Sequence, residues 1–202
     1  MQLQVDRRAF TTTAFLVVVN VIILALSKWL EDALNLREIP LKSKDSLETT
    51  PISFILFAVV FAPLLEELAF RYLLKKGKYF LVIFTLSTFY FLIVGETIPL
   101  LISLLLLNIL IGLVYLLSKK RRIVPIGVMA YSIIVFGWMH SINFDATELS
   151  SLRFIEALFL FFPYVLLGTN ITYIRLRFGF FYGLVGHTLY NGILIFLQIL
   201  TT

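Results

Sequence analysis

Apolar runs long enough to cross a lipid bilayer recur seven times along this chain and leave little sequence between them for anything else. They fall at residues 11–29, 53–74, 79–94, 98–117, 126–141, 154–171 and 178–200, the third and fifth being short. Of the 202 residues, 60% are hydrophobic, 20 are Phe and only 14% are charged, which is more apolar surface than a water-soluble core of this size can use. The pattern predicts an all-α fold, a polytopic transmembrane helix bundle of about seven spans with any active site between its helices. No second domain, internal repeat or low-complexity segment interrupts it, so residues 1–202 read as a single integral membrane domain. The first run follows Arg7 and Arg8 as a signal peptide would. Its apolar stretch is long, however, and its small-residue exit Ala25-Leu26-Ser27 is a poor cleavage site, so it reads as a retained span.

The net charge of +5 does not point to nucleic acid, because the basic residues sit in short clusters between apolar runs. One set of alternate connections carries Arg7 and Arg8, then Lys75, Lys76 and Lys78, then Lys119 to Arg122, then Arg175 and Arg177. The other carries Lys28, Arg37, Lys42 and Lys44 among five acidic residues, and later only Arg153. The positive-inside rule makes the first set cytoplasmic, with the N-terminus inside and the C-terminus outside. The polar stretch 31–50, with Pro40, then reads as an external loop. The chain has no cysteine, which excludes disulfides, thiolate metal sites and a cysteine-protease mechanism.

Against that background Glu66, Glu67 and Arg71 stand out, three ionisable groups inside the second run. Near mid-helix they cost about 3 kcal/mol each, roughly 9 in total. The 13 Leu, Ile, Phe and Val residues of the same run contribute only about 0.3 to 0.6 kcal/mol each. This helix therefore needs partners from other helices. Glu67 and Arg71 stand four apart on one face and can pair, while Glu66 points about 100° away toward a different partner. The chain's two histidines, His140 and His187, also fall within or at the edge of runs, the first one turn after Phe136 and the second one turn before Asn191. Taken singly, each has a plain structural reading: an interfacial histidine, a structural ion pair, an asparagine bonding a neighbouring helix as expected of Asn20 and Asn108. Two acids, both histidines and an asparagine on three different spans form a site only if the bundle makes them converge.

Glu66-Glu67-x-x-x-Arg71, Phe136-x-x-x-His140 and His187-x-x-x-Asn191 resemble, in order, the three motifs of the CAAX protease and bacteriocin-processing (Abi) family of intramembrane endopeptidases. The Tyr173-Ile174-Arg175 segment with Gly179 soon after is similar to the family as well. The resemblance covers a core of about residues 53–200, with the first two motifs spaced more widely than is usual, as by an inserted helical pair at about 79–117. It implies hydrolysis of a peptide bond of a membrane-associated protein or peptide. Glu66 would be the general base, with His140 its partner in holding a water. His187 and Asn191 would stabilise the oxyanion. Glu67, Arg71 and Phe136 would support them. The glutamate mechanism uses no cofactor and no metal. A zinc variant would take Glu66, His140 and His187 as ligands, although the His-Glu-x-x-His pattern is absent. The small size and short loops are similar to those of bacterial members, which implies a bacterial plasma membrane. The expected partners are a peptide or membrane-protein substrate and the lipid bilayer. Two other readings compete: a non-catalytic scaffold or bacteriocin-immunity-type protein of the same fold, and a proton-coupled transporter using Glu and His as relays.

Overall fold

A computed structural model of the protein describes residues 6–36, 52–75, 79–94, 98–117, 123–144 and 146–201. The expected external loop lies outside the described residues from position 37 onward, as do the basic clusters at 76–78 and 119–122. The described residues form helices α1 (Arg7–Ala33), α2 (Ile52–Leu74), α3 (Phe80–Val94), α4 (Ile98–Leu117), α5 (Ile126–Asn143), the short α6 (Ala146–Ser150), α7 (Phe154–Phe178) and α8 (Phe180–Thr201). Among them the only bridge of β type is an isolated one between Lys75 and Ile123.

Five helices, α1, α2, α5, α7 and α8, are long and apolar enough to cross a membrane. The other two expected spans are apolar helices of shorter described extent, Phe80–Phe89 within α3 and Leu101–Leu117 within α4. The described helices thus include five of the seven expected spans at full membrane-crossing length. Large apolar side chains such as Phe15, Leu81, Leu116, Phe154 and Phe181 point outward and are more than half exposed. Polar groups are gathered inside instead, among them Asn20, Glu67, Arg71, Asn108 and His187. That inversion suits a surface covered by lipid.

Local chemistry sets the helix ends. The Asp6 carboxylate accepts the backbone N–H groups of Arg8 and Ala9, which starts α1 several residues before its apolar run. Gly179 separates α7 from α8 at φ +108, a conformation that side chains avoid. α7 packs on α1, α5 and α8, while the α3–α4 hairpin packs on α2 and α5. Phe70, Leu73 and Leu74 of α2 form the core with Leu107, Ile111, Phe136, Leu167, Ile171 and Tyr190. The two asparagines expected to bond neighbouring helices do so. Asn20 accepts from the Asn170 amide at 3.0 Å, and Asn108 accepts from Ser87 at 3.2 Å.

α2 is irregular in a way that matters for the site. Its turns at Phe57–Phe61 and Glu67–Arg71 are π turns, in which Ala62 N–H reaches back to Phe57 and Tyr72 N–H to Glu67. In the first, the next donor in register would be residue 63, which is proline and has no N–H. The Ala58 carbonyl is thereby left over, and the Asn191 side-chain amide donates to it at 3.0 Å. The C-terminal carbonyls of α2 are likewise served from outside: Phe70 by Ser132 at 2.9 Å, Leu74 by the Val124 N–H at 3.2 Å. If Asn191 is the substitute for the N–H that Pro63 lacks, Asn191→Ala should destabilise the purified protein by about 1 to 2 kcal/mol. In a Pro63→Ala background the same change should cost less than half as much. Equal costs in the two backgrounds, read from thermal unfolding in detergent, would break the link.

Candidate active site

The pair Glu67 and Arg71 lies at the centre of the bundle, with side chains 0% and 1% exposed and an ion pair through Oε1 and Nη1. Its surroundings come from three other helices. The Arg71 guanidinium lies over the Phe136 ring of α5, 4.0 Å from the centroid. On α7, Gly168 provides the room: a Cβ there would stand 2.9 Å from Phe136 Cδ1 and 3.5 Å from Arg71 Nη2. On α8, His187 Nδ1 lies 3.0 Å from Glu67 Oε1.

That last contact places a proton on Nδ1. A carboxylate paired with a guanidinium only accepts, so His187 donates through Nδ1–H, and in the neutral imidazole the lone pair is on Nε2. Nε2 faces Glu66 Oε2 at 3.5 Å, longer than the usual N–H···O distance of about 2.9 Å. Neither atom has a hydrogen-bond partner among the protein atoms, and both are inaccessible. Two acceptors so placed are compatible only with a proton shared between them or a donor such as water inserted between them. Glu66 and Glu67 thus flank one imidazole, as their 100° separation on the helix allows.

His140 occupies the rim of this arrangement. It is Phe136, one turn earlier, whose ring meets both Arg71 and His187, the latter at 5.7 Å. The His140 ring packs on Phe136 at 4.8 Å, bonds the Phe136 carbonyl through Nδ1 at 2.9 Å, and stacks on Tyr164 of α7 at 4.2 Å. So the imidazole facing Glu66 is that of His187, whereas the motif resemblance assigns His140 as its partner. Asn191, assigned as an oxyanion donor, is bonded to Ala58. Among the described residues no three His, Cys, Asp or Glu side chains are grouped so as to hold a metal ion.

Tyr164, Gly168 and Gly183 escape a reading confined to the three motifs. A signal exists for the first two: residues 164, 168 and 175 recur at helical spacing along one face of α7. Gly183, one turn before His187, leaves the space beside Glu67 Oε2, 3.5 Å from where its Cβ would be.

Comparison with known protein families, characterised proteins and solved structures finds no match for the chain. The family resemblance rests on the sequence motifs themselves.

Because Glu67 and Arg71 are fully buried, removing either leaves an uncompensated charge. Glu67→Ala and Arg71→Ala should each cost about 3 to 5 kcal/mol, and the double variant clearly less than their sum. Additive losses in thermal unfolding would mean that the two act independently.

Proposed function

We propose that the protein is an intramembrane endopeptidase in which Glu66 and His187 activate the attacking water. The observation carrying this reading is the buried, mutually facing pair Glu66 Oε2 and His187 Nε2, each without another protein partner. A water between them can donate one hydrogen to each and direct a lone pair outward at a peptide carbonyl. On attack its oxygen bonds the carbonyl carbon, Glu66 takes the proton, and the leaving amine receives it as the C–N bond breaks. Glu67 fixes His187 in the tautomer that accepts, a role like that of the orienting carboxylate in other catalytic dyads. His140, stacked between Phe136 and Tyr164, flanks the position of the substrate. The substrate class that fits a site between membrane helices is a membrane-associated peptide or protein.

One observation favours a second reading. The Asn191 amide is committed to the Ala58 carbonyl, which suits a non-catalytic scaffold or immunity-type protein that keeps the fold for its shape. The two readings part at Glu66. In membranes of cells carrying Glu66→Gln or His187→Ala, uncleaved substrate should accumulate to the level seen without the protein, with processing reduced at least about a hundredfold. Asn20→Ala and Asn108→Ala, away from the site, should process normally. Full biological function in Glu66→Gln would establish the scaffold instead.

The proposed membrane has its cytoplasm at the basic end. Asp6 N–H donates to the Tyr182 hydroxyl, the α2 terminus meets the start of α5, and Tyr72 meets Phe180 at 5.6 Å, so Arg7, Arg8, Lys75, Arg175 and Arg177 share one end of the bundle. With α3 and α4 crossing as a pair, seven spans result. Reporters fused after Lys78, Arg122 and Arg177 should be cytoplasmic, and reporters at Lys44 and after Thr202 external. A cytoplasmic signal from the last would remove one span.

A further inference from the structure

We propose that Arg175 and the first turn of α8 form a binding site for a phosphate group, supplied by a phospholipid headgroup at the basic end of the bundle. The inference is independent of the protease reading.

Arg175 is only 7% exposed, yet no carboxylate pairs with it among the described residues. Its Nε has no partner, its Nη2 reaches the Tyr72 carbonyl only at 3.5 Å, and its guanidinium lies 5.7 and 5.6 Å from the Tyr72 and Phe180 rings. Of the carboxylates deeper in the bundle, Glu67 is held through Oε1 by Arg71 and His187, and Glu66 faces His187. Among the described residues at this end, 6–10, 72–75, 79–80, 115–117, 123–126 and 173–183, Asp6 is the only acidic one. Asp6 caps α1. Glu67 attracts the guanidinium from deeper in the bundle, but no carboxylate oxygen among the described residues pairs with it directly, so a charge far withdrawn from water is only partly compensated.

The place to which the guanidinium extends favours an anion on its own account. Phe180 is the first residue of α8, a helix of 22 residues. The residue before it, Gly179, has no side chain with which to cap the helix, and its own N–H is taken by the Arg175 carbonyl at 3.1 Å. The N–H groups of the first turn beyond it have no partners within the helix, and the helix dipole places positive charge there. A helix N-terminus beside a buried guanidinium whose Nε lacks a partner suits a phosphate group at a membrane interface. The rings of Tyr72 and Phe180 supply the amphipathic surface that an acyl glycerol beside that phosphate would contact.

The test uses the full chain purified in a non-ionic detergent, with lipid binding counted by native mass spectrometry and stability followed by thermal unfolding. Phosphatidylglycerol should bind and raise the unfolding temperature by several degrees, while diacylglycerol, which lacks the phosphate, should not. Arg175→Gln should weaken phosphatidylglycerol binding at least tenfold and remove the thermal gain. Arg177→Gln, one turn-half away at the same end, should retain both. If Arg175→Gln does not accumulate, Arg175→Lys, which keeps the charge but not the fork, should bind several-fold more weakly than the native protein. Inorganic phosphate reproducing the gain at matched ionic strength would keep the site and assign it to free phosphate. Equal gains from phosphatidylglycerol and diacylglycerol, or equal lipid binding by the native protein and the Arg175 variant, would overturn the proposal.

Discussion

The ion pair of Glu67 and Arg71 dictates how the rest of this bundle is arranged. Two full charges with side-chain exposures of 0% and 1% each carry a desolvation penalty of several kcal/mol, which close contact offsets only when the remaining donors and acceptors are also served. Serving them draws in three helices. Phe136 on α5 offers its ring to the guanidinium, Gly168 on α7 is small enough to let both approach, and His187 on α8 donates to the carboxylate. A pair of well-packed apolar residues would hold the helices together as well or better. What the charges add is orientation, since only a buried, ionised Glu67 specifies which nitrogen of His187 carries the proton and therefore which one faces Glu66.

The π turns of α2 explain why helical spacing reads this site only in part. Each widened turn inserts about one residue and rotates everything beyond it by roughly 100° relative to a regular helix. The i, i+4 pairing of Glu67 with Arg71 lies within one such turn and survives, so their contact was legible in the sequence. The divergence of Glu66 from Glu67 was legible too, because adjacent residues separate in either kind of helix. The partner of Glu66 was not. It depends on the relative depth of α5 and α8 against α2, and nothing in a single apolar run records that depth. His187 is the imidazole that faces the Glu66 carboxylate, while His140 packs on Phe136 and Tyr164.

Helix extents show a similar division. Apolar runs locate the hydrocarbon-spanning part of each helix, so α2 and α4 match their runs within a residue. They cannot register helix that continues through polar residues. α1 begins at Arg7 because Asp6 caps it, and α7 runs through Thr172, Arg175 and Arg177 to Phe178, where Gly179 stops it. The seven-residue extension of α7 beyond its run carries Arg175 to the first turn of α8. Asn20 and Asn108 behave as their residue type predicts, because an amide in an apolar span has few alternatives to a neighbouring helix.

Asn191 poses the sharper question, since its amide serves a carbonyl that Pro63 has deprived of a donor. Catalysis through an Asn191 oxyanion contact requires the amide to leave Ala58, and no backbone N–H in that register can replace it. An unsatisfied buried carbonyl costs about 1 to 3 kcal/mol. A hydrogen bond to an oxyanion is roughly twice as strong as one to a neutral carbonyl, so the exchange is favourable only once negative charge has formed on the substrate. An amide held in this way would contribute little to binding the ground state and more to the transition state, which is the differential that raises a rate. In a non-catalytic scaffold the same contact has no such alternative and serves only to join α8 to the irregular turn of α2. The Pro63–Asn191 combination is therefore consistent with either role, and the chemistry turns on whether Glu66 and His187 act on a water between them.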